Sequence, residues 1–534
     1  MRPGARYDVV IAGGGLAGLC LANQLVAADS ARRVLVIEKK THPLPEAAHK
    51  VGESSVEVAS HYFRNVLGMT ELLSEELPKF GLRFFMTQGD NRDIASRVEC
   101  GPSCFLTVPS YQIDRGRFET RLAERACAAG ADFMDGSRVT AVDLGEGEAD
   151  HRVEISRGDE RFAVACRWLV DACGRAALLK QKLGLAQANR HNVNAAWFRL
   201  DAPIEPDDWS DDLRWKSRLK HERRLSTNHF VGEGYWVWLI PLVGGRTSVG
   251  IVTDDRLHAF SQFRNFETAL AWLDAKEPQC AASVRALADK RMDYLALRNY
   301  SYDAKRVFGE QRWALTGDAG IFIDPFYSPG SDFIGIANGF IADLVERDSR
   351  GEAVSPFVEI YDQTFRSLAR AYLIIYHRQY PVMGNARVMS TKVVWDFAMY
   401  WGGVALLFFH DKLCDPAFMD RVRPLLQGFA YTNLGVQFLF RNWAAEVHDP
   451  EPRPRAFVDY AEIPFLAEMN RRLTEEFDDN VLLAQLEANL AFARELKVEI
   501  RAEATRTCPQ LGFDAAAPET AWLEGMFESL GRSR

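Results

Sequence analysis

The chain has 534 residues, enough for two or three modules, with 47% hydrophobic and 26% charged residues, the balance of an ordinary globular protein. A net charge of −9 argues against a nucleic-acid binder and against general attraction to anionic membranes. Nine cysteines without a C-x-x-C pair imply a reduced, cytoplasmic protein with neither a disulfide framework nor a structural metal.

The first element is "YDVVIAGGGLAGLCLANQL": an apolar strand, a glycine turn and a helix. The short apolar run behind two arginines imitates a signal peptide, but it breaks at the glycines and is read as a buried strand. Gly13, Gly15 and Gly18 fit G-x-G-x-x-G. The first permits the tight turn, the second lets backbone N–H groups approach a pyrophosphate, and the third lets helix and strand pack closely. A second strand, "RVLVIEKK", ends at Glu38, twenty positions after Gly18, where an acidic side chain reaches a ribose hydroxyl. A dinucleotide site follows from the combination.

Further along come "KVGESSVEVASHYF", then Lys79 in "LPKFGLRFF", which by itself is a solvated turn residue opening an apolar strand. "YQIDRGRFETRLAERACAAGA" places Arg115 at the head of an amphipathic helix, and "RWLVDACGRAALL" is a strand ending at Asp171. Residues 195–253 and 294–302 are rich in β-branched and aromatic residues, as in an antiparallel sheet within about 190–310. In that stretch, "GYWVWLIPL" sets Trp236 and Trp238 on one face of a strand, followed by Ile240 and Pro241; alone, the rings are either core or a barrier. "RWALTGDAGIFIDPF" is a strand ending at Gly317-Asp318. After it, "DPFYSPGSDFIGIANGF" carries Tyr327, Ser328 and the Pro329-Gly330 turn into a helix starting near Ser331 or Asp332. N–H groups at a helix start form an anion site, and because Pro329 lacks an N–H, an anion would sit on the amides of Gly330 and Ser331. From about residue 356 the pattern is helical. "FAMYWGGVALLFF" (Phe397 to Phe409) is about half to two-thirds of a membrane span and is read as a buried helix, a substrate-chamber wall or a lipid-touching surface. "AEVHDPEPRPRAF" (Ala445 to Phe457) reads as a connector. The expected division is 1–350 for the core and 351–534 for a helical C-terminal region.

The order of the glycine turn, Arg115 segment, Asp171 strand end and Gly317-Asp318 pair resembles FAD monooxygenases of the p-hydroxybenzoate hydroxylase type. That resemblance implies FAD, held by Gly13, Gly15, Gly18, Glu38, Arg115, Asp171, Gly317 and Asp318, on an α/β Rossmann-like domain with an antiparallel substrate-side sheet. Trp236-x-Trp238-x-Ile240-Pro241 together with Lys79 after "GES" is similar to the flavin-dependent halogenases. This second resemblance implies that FADH2, O2 and chloride or bromide make hypohalous acid, which two tryptophans keep from meeting the substrate at the flavin. It also implies that Lys79 relays the oxidant, either as an ammonium hydrogen-bonded to it or as a haloamine formed on the neutral amine, the form that burial favours in a lysine. Halogenases of free tryptophan carry a glutamate where Tyr327 stands, so the resemblance is nearer to enzymes of phenols or carrier-protein-tethered aromatics, with Tyr327, Ser328 and Phe333 as chamber walls or packing. No second G-x-G-x-x-G unit occurs for NAD(P)H, which with the resemblance implies a separate NAD(P)H-dependent flavin reductase. A flavin hydroxylase or reductase, or a non-catalytic flavoprotein partner, are the alternatives on the same scaffold.

Overall fold

The computed structural model describes residues 4–45, 50–447, 456–509 and 511, so most of the 445–457 connector lies outside the described residues. Two compact units interleave along the chain. The first takes in the chain up to Glu76, then Ile113–Asn189 and Ser301–Ala369; the second takes Leu77–Gln112, Arg190–Tyr300 and the chain from Arg370 onward. This differs from a division at residue 350. The sheet segment 190–300 groups with the C-terminal helices, because contacts between residues distant in sequence, rather than a composition change along the chain, define a compact unit.

In the first unit, Arg6–Ala12 is the central strand of an eight-stranded sheet, with Val34–Ile37 on one side and Glu160–Asp171 on the other, both parallel to it. Asp132–Met134 and Trp313–Leu315 extend the parallel array outward. Val9 to Ala12 and Val34 to Ile37 are buried without exception, which is why they read as unbroken apolar runs rather than alternating ones. The first half of Glu160–Asp171 pairs antiparallel with His151–Arg157, which pairs in turn with Ser137–Asp143. Helices Leu16–Ala28, Arg115–Ala128 and Gly330–Ser349 complete the unit's main elements.

The second unit is built on another eight-stranded sheet. Val193–Leu200, Arg246–Asp254, Tyr235–Leu242 and Thr227–Gly232 are antiparallel neighbours, in line with the pattern of residues 195–253. Strands from outside that stretch make the sheet as a whole mixed: Leu82–Met86 joins Thr227–Gly232 in parallel, and Phe457–Asp459 joins Glu99–Gly101 in parallel. Both of those pairings bring together strands far apart in sequence, so no hairpin turn imposes an antiparallel direction.

One face of this sheet, carrying Phe85, Phe230, Tyr235, Val237, Leu239 and Ile251, packs on helices Phe266–Lys276 and Pro278–Ala286 through Phe266, Trp272, Leu273, Ala281 and Val284. Strand alternation puts Phe84, His229, Trp236 and Trp238 on the other face.

Helices Ala386–Met399, Pro416–Glu446 and Asp479–Thr507 share a second core around Val388, Trp395, Phe440, Trp443 and Ile500. The apolar run is longer than its sequence pattern indicated: Ala386–Phe409 is one helical stretch of 24 residues, long and apolar enough to cross a membrane by length and composition. Its most apolar window is 72% buried in the protein, as in a core helix.

Candidate active site

The nucleotide cradle is set by what the three glycines exclude. Gly13 has φ +114°, and a Cβ there would meet the Ala172 carbonyl oxygen at 2.3 Å. At Gly18 a Cβ would lie 2.0 Å from the Gly13 carbonyl oxygen, so helix Leu16–Ala28 can lie on the first strand only without one. Gly15 is different: the nearest atom to its would-be Cβ is Lys50 Nζ at 4.0 Å. This open space beside backbone amides and a lysine ammonium suits a pyrophosphate.

Glu38 accepts hydrogen bonds from the amides of Gly14 (2.7 Å) and Lys40 (2.8 Å), which fix its carboxylate at the end of the second strand. Asp114 caps helix Arg115–Ala128 through the amides of Gly116 and Arg117. Arg115, in the first turn, donates to the Val51 carbonyl (2.6 Å) and, by Nε and Nη2, to Glu119 Oε1 (3.0 and 2.6 Å).

Glu119 is wholly buried; it also accepts from the Leu16 amide (3.2 Å) and pairs with Lys50. Burial pushes its carboxyl up, but the Arg115 guanidinium and Lys50 ammonium outweigh that and hold it below the usual carboxylate range. Burial lowers Lys50 from its ordinary value against the pull of Glu119. Sequence reasoning missed Lys50 and Glu119. The available signals were a lysine directly before "VGESS" and the i, i+4 spacing of Arg115 and Glu119 on one helix face.

Asp171 and Asp318 stand at the ends of neighbouring parallel strands but are committed differently. Asp171 is wholly buried, and its oxygens accept from the amides of Cys173 (3.0 Å) and Leu179 (2.7 Å), so its carboxylate organises the turn after the strand. Burial raises the Asp171 carboxyl above its usual value. Asp318 follows Gly317, whose φ is +59° and whose Cβ would meet Ala17 Cβ at 2.9 Å. Its backbone carbonyl accepts from the Tyr302 hydroxyl, and the Tyr302 ring lies under Lys180 Nζ (3.9 Å) and the Arg175 guanidinium (5.2 Å). Burial raises the Asp318 carboxyl, with Arg115, Arg175 and Lys180 opposing. The same burial brings Lys180 down to about 8.

The anion-type turn belongs to this unit too. Helix Gly330–Ser349 begins one residue earlier than the pattern indicated, with Pro329 as its N-cap and no side-chain cap. The Gly330 and Ser331 amides are first-turn donors, whereas the Asp332 carboxylate is directed to the Ala59 amide (2.8 Å). Ser328 adopts φ +60° and its hydroxyl donates to the Ser54 hydroxyl (3.1 Å), which ties the "YSPG" turn to the "GESS" segment. Tyr327 is half-buried with its ring edge-on to Phe326, and Phe333 is buried edge-on to Phe365.

In the second unit, Lys79 follows the two-residue strand Leu77–Pro78, paired with Tyr111–Gln112, and its amide donates to the Ser110 carbonyl (2.8 Å). The residue is 3% exposed, unlike a solvated turn lysine. Phe80 and Gly81 then lead into strand Leu82–Met86, Gly81 with φ +65° and a Cβ that would meet Tyr460 Oη at 2.5 Å.

Trp236 and Trp238 are buried with ring centroids 5.5 Å apart, and Trp236 lies 5.4 Å from His229, which stacks on Phe84. Trp238 Nε1 donates to Ser248 Oγ (3.2 Å), and its ring occupies the space over Gly250, where a Cβ would come within 2.1 Å. Ile240 faces the same side as the two rings. At Pro241 the register with Thr227–Gly232 has already run out, at Asn228 opposite Leu239, so that edge has no ladder for a proline to break.

A glycine-shaped nucleotide cradle, a carboxylate at the second strand's end and a Gly-Asp strand end define an FAD-binding flavoprotein enzyme. Residues 6–238 match the FAD binding domain family. The flavin-dependent halogenase chlA of Dictyostelium discoideum is 24% identical over 458 residues, covering 78% of this chain and 72% of that protein. A 1H-pyrrole-2-carbonyl-[peptidyl-carrier protein] chlorinase of Pseudomonas fluorescens is 28% identical over 372 residues, 64% of this chain and 77% of the relative. Among solved structures, halogenase PltM superposes with a TM-score of 0.65 at 17% identity, covering 93% of this chain and 96% of PltM, which is a likeness of fold. The chain is an FAD-dependent enzyme similar in sequence to flavin-dependent halogenases.

Proposed function

We propose that the enzyme uses FADH2, O2 and chloride or bromide to generate hypohalous acid, which Lys79 relays to an electron-rich aromatic substrate, phenolic or carrier-bound. Bound reduced FAD, with O2, supplies the oxidant that converts the halide. The chain's own residues do the rest. The Gly330 and Ser331 amides hold the halide at the helix start, with Ser328 and Ser54 keeping the turn in place. Trp236 and Trp238 form a rigid aromatic wall that keeps an organic substrate off the flavin. Lys79 Nζ holds the hypohalous acid and presents its halogen to the ring; the carbon–halogen bond forms as the O–halogen bond breaks, and the ring proton leaves with the hydroxide as water.

The burial of Lys79 supports this reading most directly: a lysine is seldom enclosed without a task, and this one stands at 3% exposure. The two tryptophans lie on the sheet face opposite the core shared with helices Phe266–Lys276 and Pro278–Ala286, as a wall requires.

Tyr327, in place of a carboxylate, favours a substrate that activates its own ring. PltM has been crystallised with phloroglucinol and FAD, whereas relatives from Pseudomonas and Pseudoalteromonas are named for pyrrole held on a carrier protein. Reduced flavin comes from a separate NAD(P)H-dependent reductase.

Lys79→Ala tests the relay. The variant is expected to bind FAD and consume O2 while halogenated product falls to background; undiminished product would remove Lys79 from the mechanism. Intact masses of phenolic and carrier-bound candidates, after incubation with FADH2, O2 and chloride or bromide, identify the substrate class. A halogen isotope pattern is expected, and a gain of one oxygen alone would make the enzyme a hydroxylase.

A further inference from the structure

The short turn Tyr380–Gly384 brings the C-terminal helices against the Trp236 side of the sheet. Trp236 Nε1 donates to the Tyr380 hydroxyl at 3.0 Å, and both groups are buried. The Gly234 amide, at the hairpin tip preceding Trp236, donates to the Tyr380 carbonyl at 3.0 Å. Gly384 closes the same contact from the other end: a Cβ there would meet Glu233 Cβ at 2.7 Å, so only glycine lets the turn lie this close to the hairpin. The Tyr380 ring is further bounded by His191, edge-on at 5.7 Å.

The turn is itself anchored to the helices. Gln379 Nε2 donates to the Gln437 carbonyl (2.9 Å) and Asn385 Nδ2 to the Val447 carbonyl (3.0 Å). Behind Gln437 lies a buried polar cluster. Lys392 Nζ donates to Asp396 Oδ2 and to Gln437 Oε1, both at 2.7 Å. Gln437 Nε2 donates to Asp396 Oδ1 (2.7 Å) and Asn433 Oδ1 (3.1 Å), and Trp395 Nε1 donates to Asn433 Oδ1 (2.8 Å). Burying a lysine–aspartate pair between helices does little for stability compared with apolar packing, but its directional bonds define one register of helix against helix.

We propose that this cluster and the Gln379–Gly384 segment are a positioning device for Trp236, with Tyr380 the positioning residue that fixes the indole's rotation, so that the helical region governs how much oxidant reaches substrate. The inference rests on the wall reading of Trp236. Its function is to limit uncoupling: an indole held by its N–H presents one face, whereas one free to turn opens the partition and lets oxidant escape.

The test combines Tyr380→Phe, which keeps the ring and removes the hydroxyl, with Trp236→Phe and the double variant, reading halogenated product per O2 consumed. Tyr380→Phe is expected to bind FAD, take up O2 at the parent rate and lose about three- to tenfold in product per O2, the range of one buried hydrogen bond. The double variant is expected to equal Trp236→Phe, because phenylalanine has no N–H for Tyr380 to hold. If Trp236→Phe lowers the ratio and Tyr380→Phe does not, the positioning proposal fails and the wall stands. If Trp236→Phe leaves the ratio unchanged, the wall reading fails. The positioning is then decided by the Trp236 indole N–H resonance, assigned through Trp236→Phe, which Tyr380→Phe and Gln379→Leu are both expected to shift. A resonance unmoved in both variants overturns the proposal.

Discussion

The nucleotide cradle and the C-terminal helices solve the same problem, holding a group still, by opposite means. In the cradle, position comes from the backbone: Gly13 and Gly18 are where they are because any Cβ would strike a carbonyl oxygen at 2.3 or 2.0 Å. Among the helices it comes from side chains, where Lys392, Asp396, Asn433 and Gln437 reach each other across two helices. Backbone constraint leaves a spaced signature in sequence. A side-chain cluster leaves polar residues inside apolar helices, here the i, i+4 pairs Lys392–Asp396 and Asn433–Gln437, with no fixed spacing from one pair to the other.

That contrast can be broken by experiment. Gly18→Ala should have the largest effect: helix and strand must part, and the purified variant is expected to lack FAD absorbance altogether. Retained flavin would show that the close approach is dispensable. Lys392→Met comes next. It leaves the buried Asp396 carboxylate without its cation, expected to destabilise by about 3–5 kcal/mol in denaturant unfolding. A loss below about 1 kcal/mol would mean the pair contributes register without stability. Gly250→Ala should be milder, since its new methyl displaces the Trp238 ring and not backbone; product per O2 is expected to fall with FAD still bound.

Glu119→Gln should be the smallest and is read through pH. The Glu119 carboxyl is held below its unfolded value, so its stabilising contribution is complete above that unfolded value and disappears as pH falls through the lower folded one. The glutamine variant is expected to lose stability at neutral pH and to show a flatter acid limb in thermal unfolding; parallel acid limbs would mean the Arg115–Glu119–Lys50 group does not titrate with folding.

Much of the first unit was legible because its elements are local. A four-residue apolar run such as Val34–Ile37 suits a strand covered on both faces, and Asp114 before an amphipathic run marks a helix start. The site was legible where a residue type answers a steric demand, as at Gly13 and Gly18. It was less so at Asp171, where a strand-end carboxylate gives no sign in sequence that it accepts from two amides of its own chain. For Lys50 and Glu119 the chain showed only the i, i+4 spacing of Glu119 with Arg115, because an ion pair between a loop and a helix 69 residues away has no sequence pattern of its own. The parallel insertion of Leu82–Met86 and the division into interleaved units were hidden for the same reason.

The sequence by itself determined the nucleotide turn, the strand carrying Trp236 and Trp238, the place of Lys79 and the helical character of the C-terminal region, since each follows from spacing, periodicity or backbone restriction within a few residues. Tertiary structure alone decided that Lys79 is enclosed, which face of the sheet the two indoles take relative to the helix-covered core, and that Tyr380, 144 residues beyond Trp236, meets the indole N–H. Those outcomes depend on which distant surfaces exclude water together, and no local rule of the chain encodes that choice.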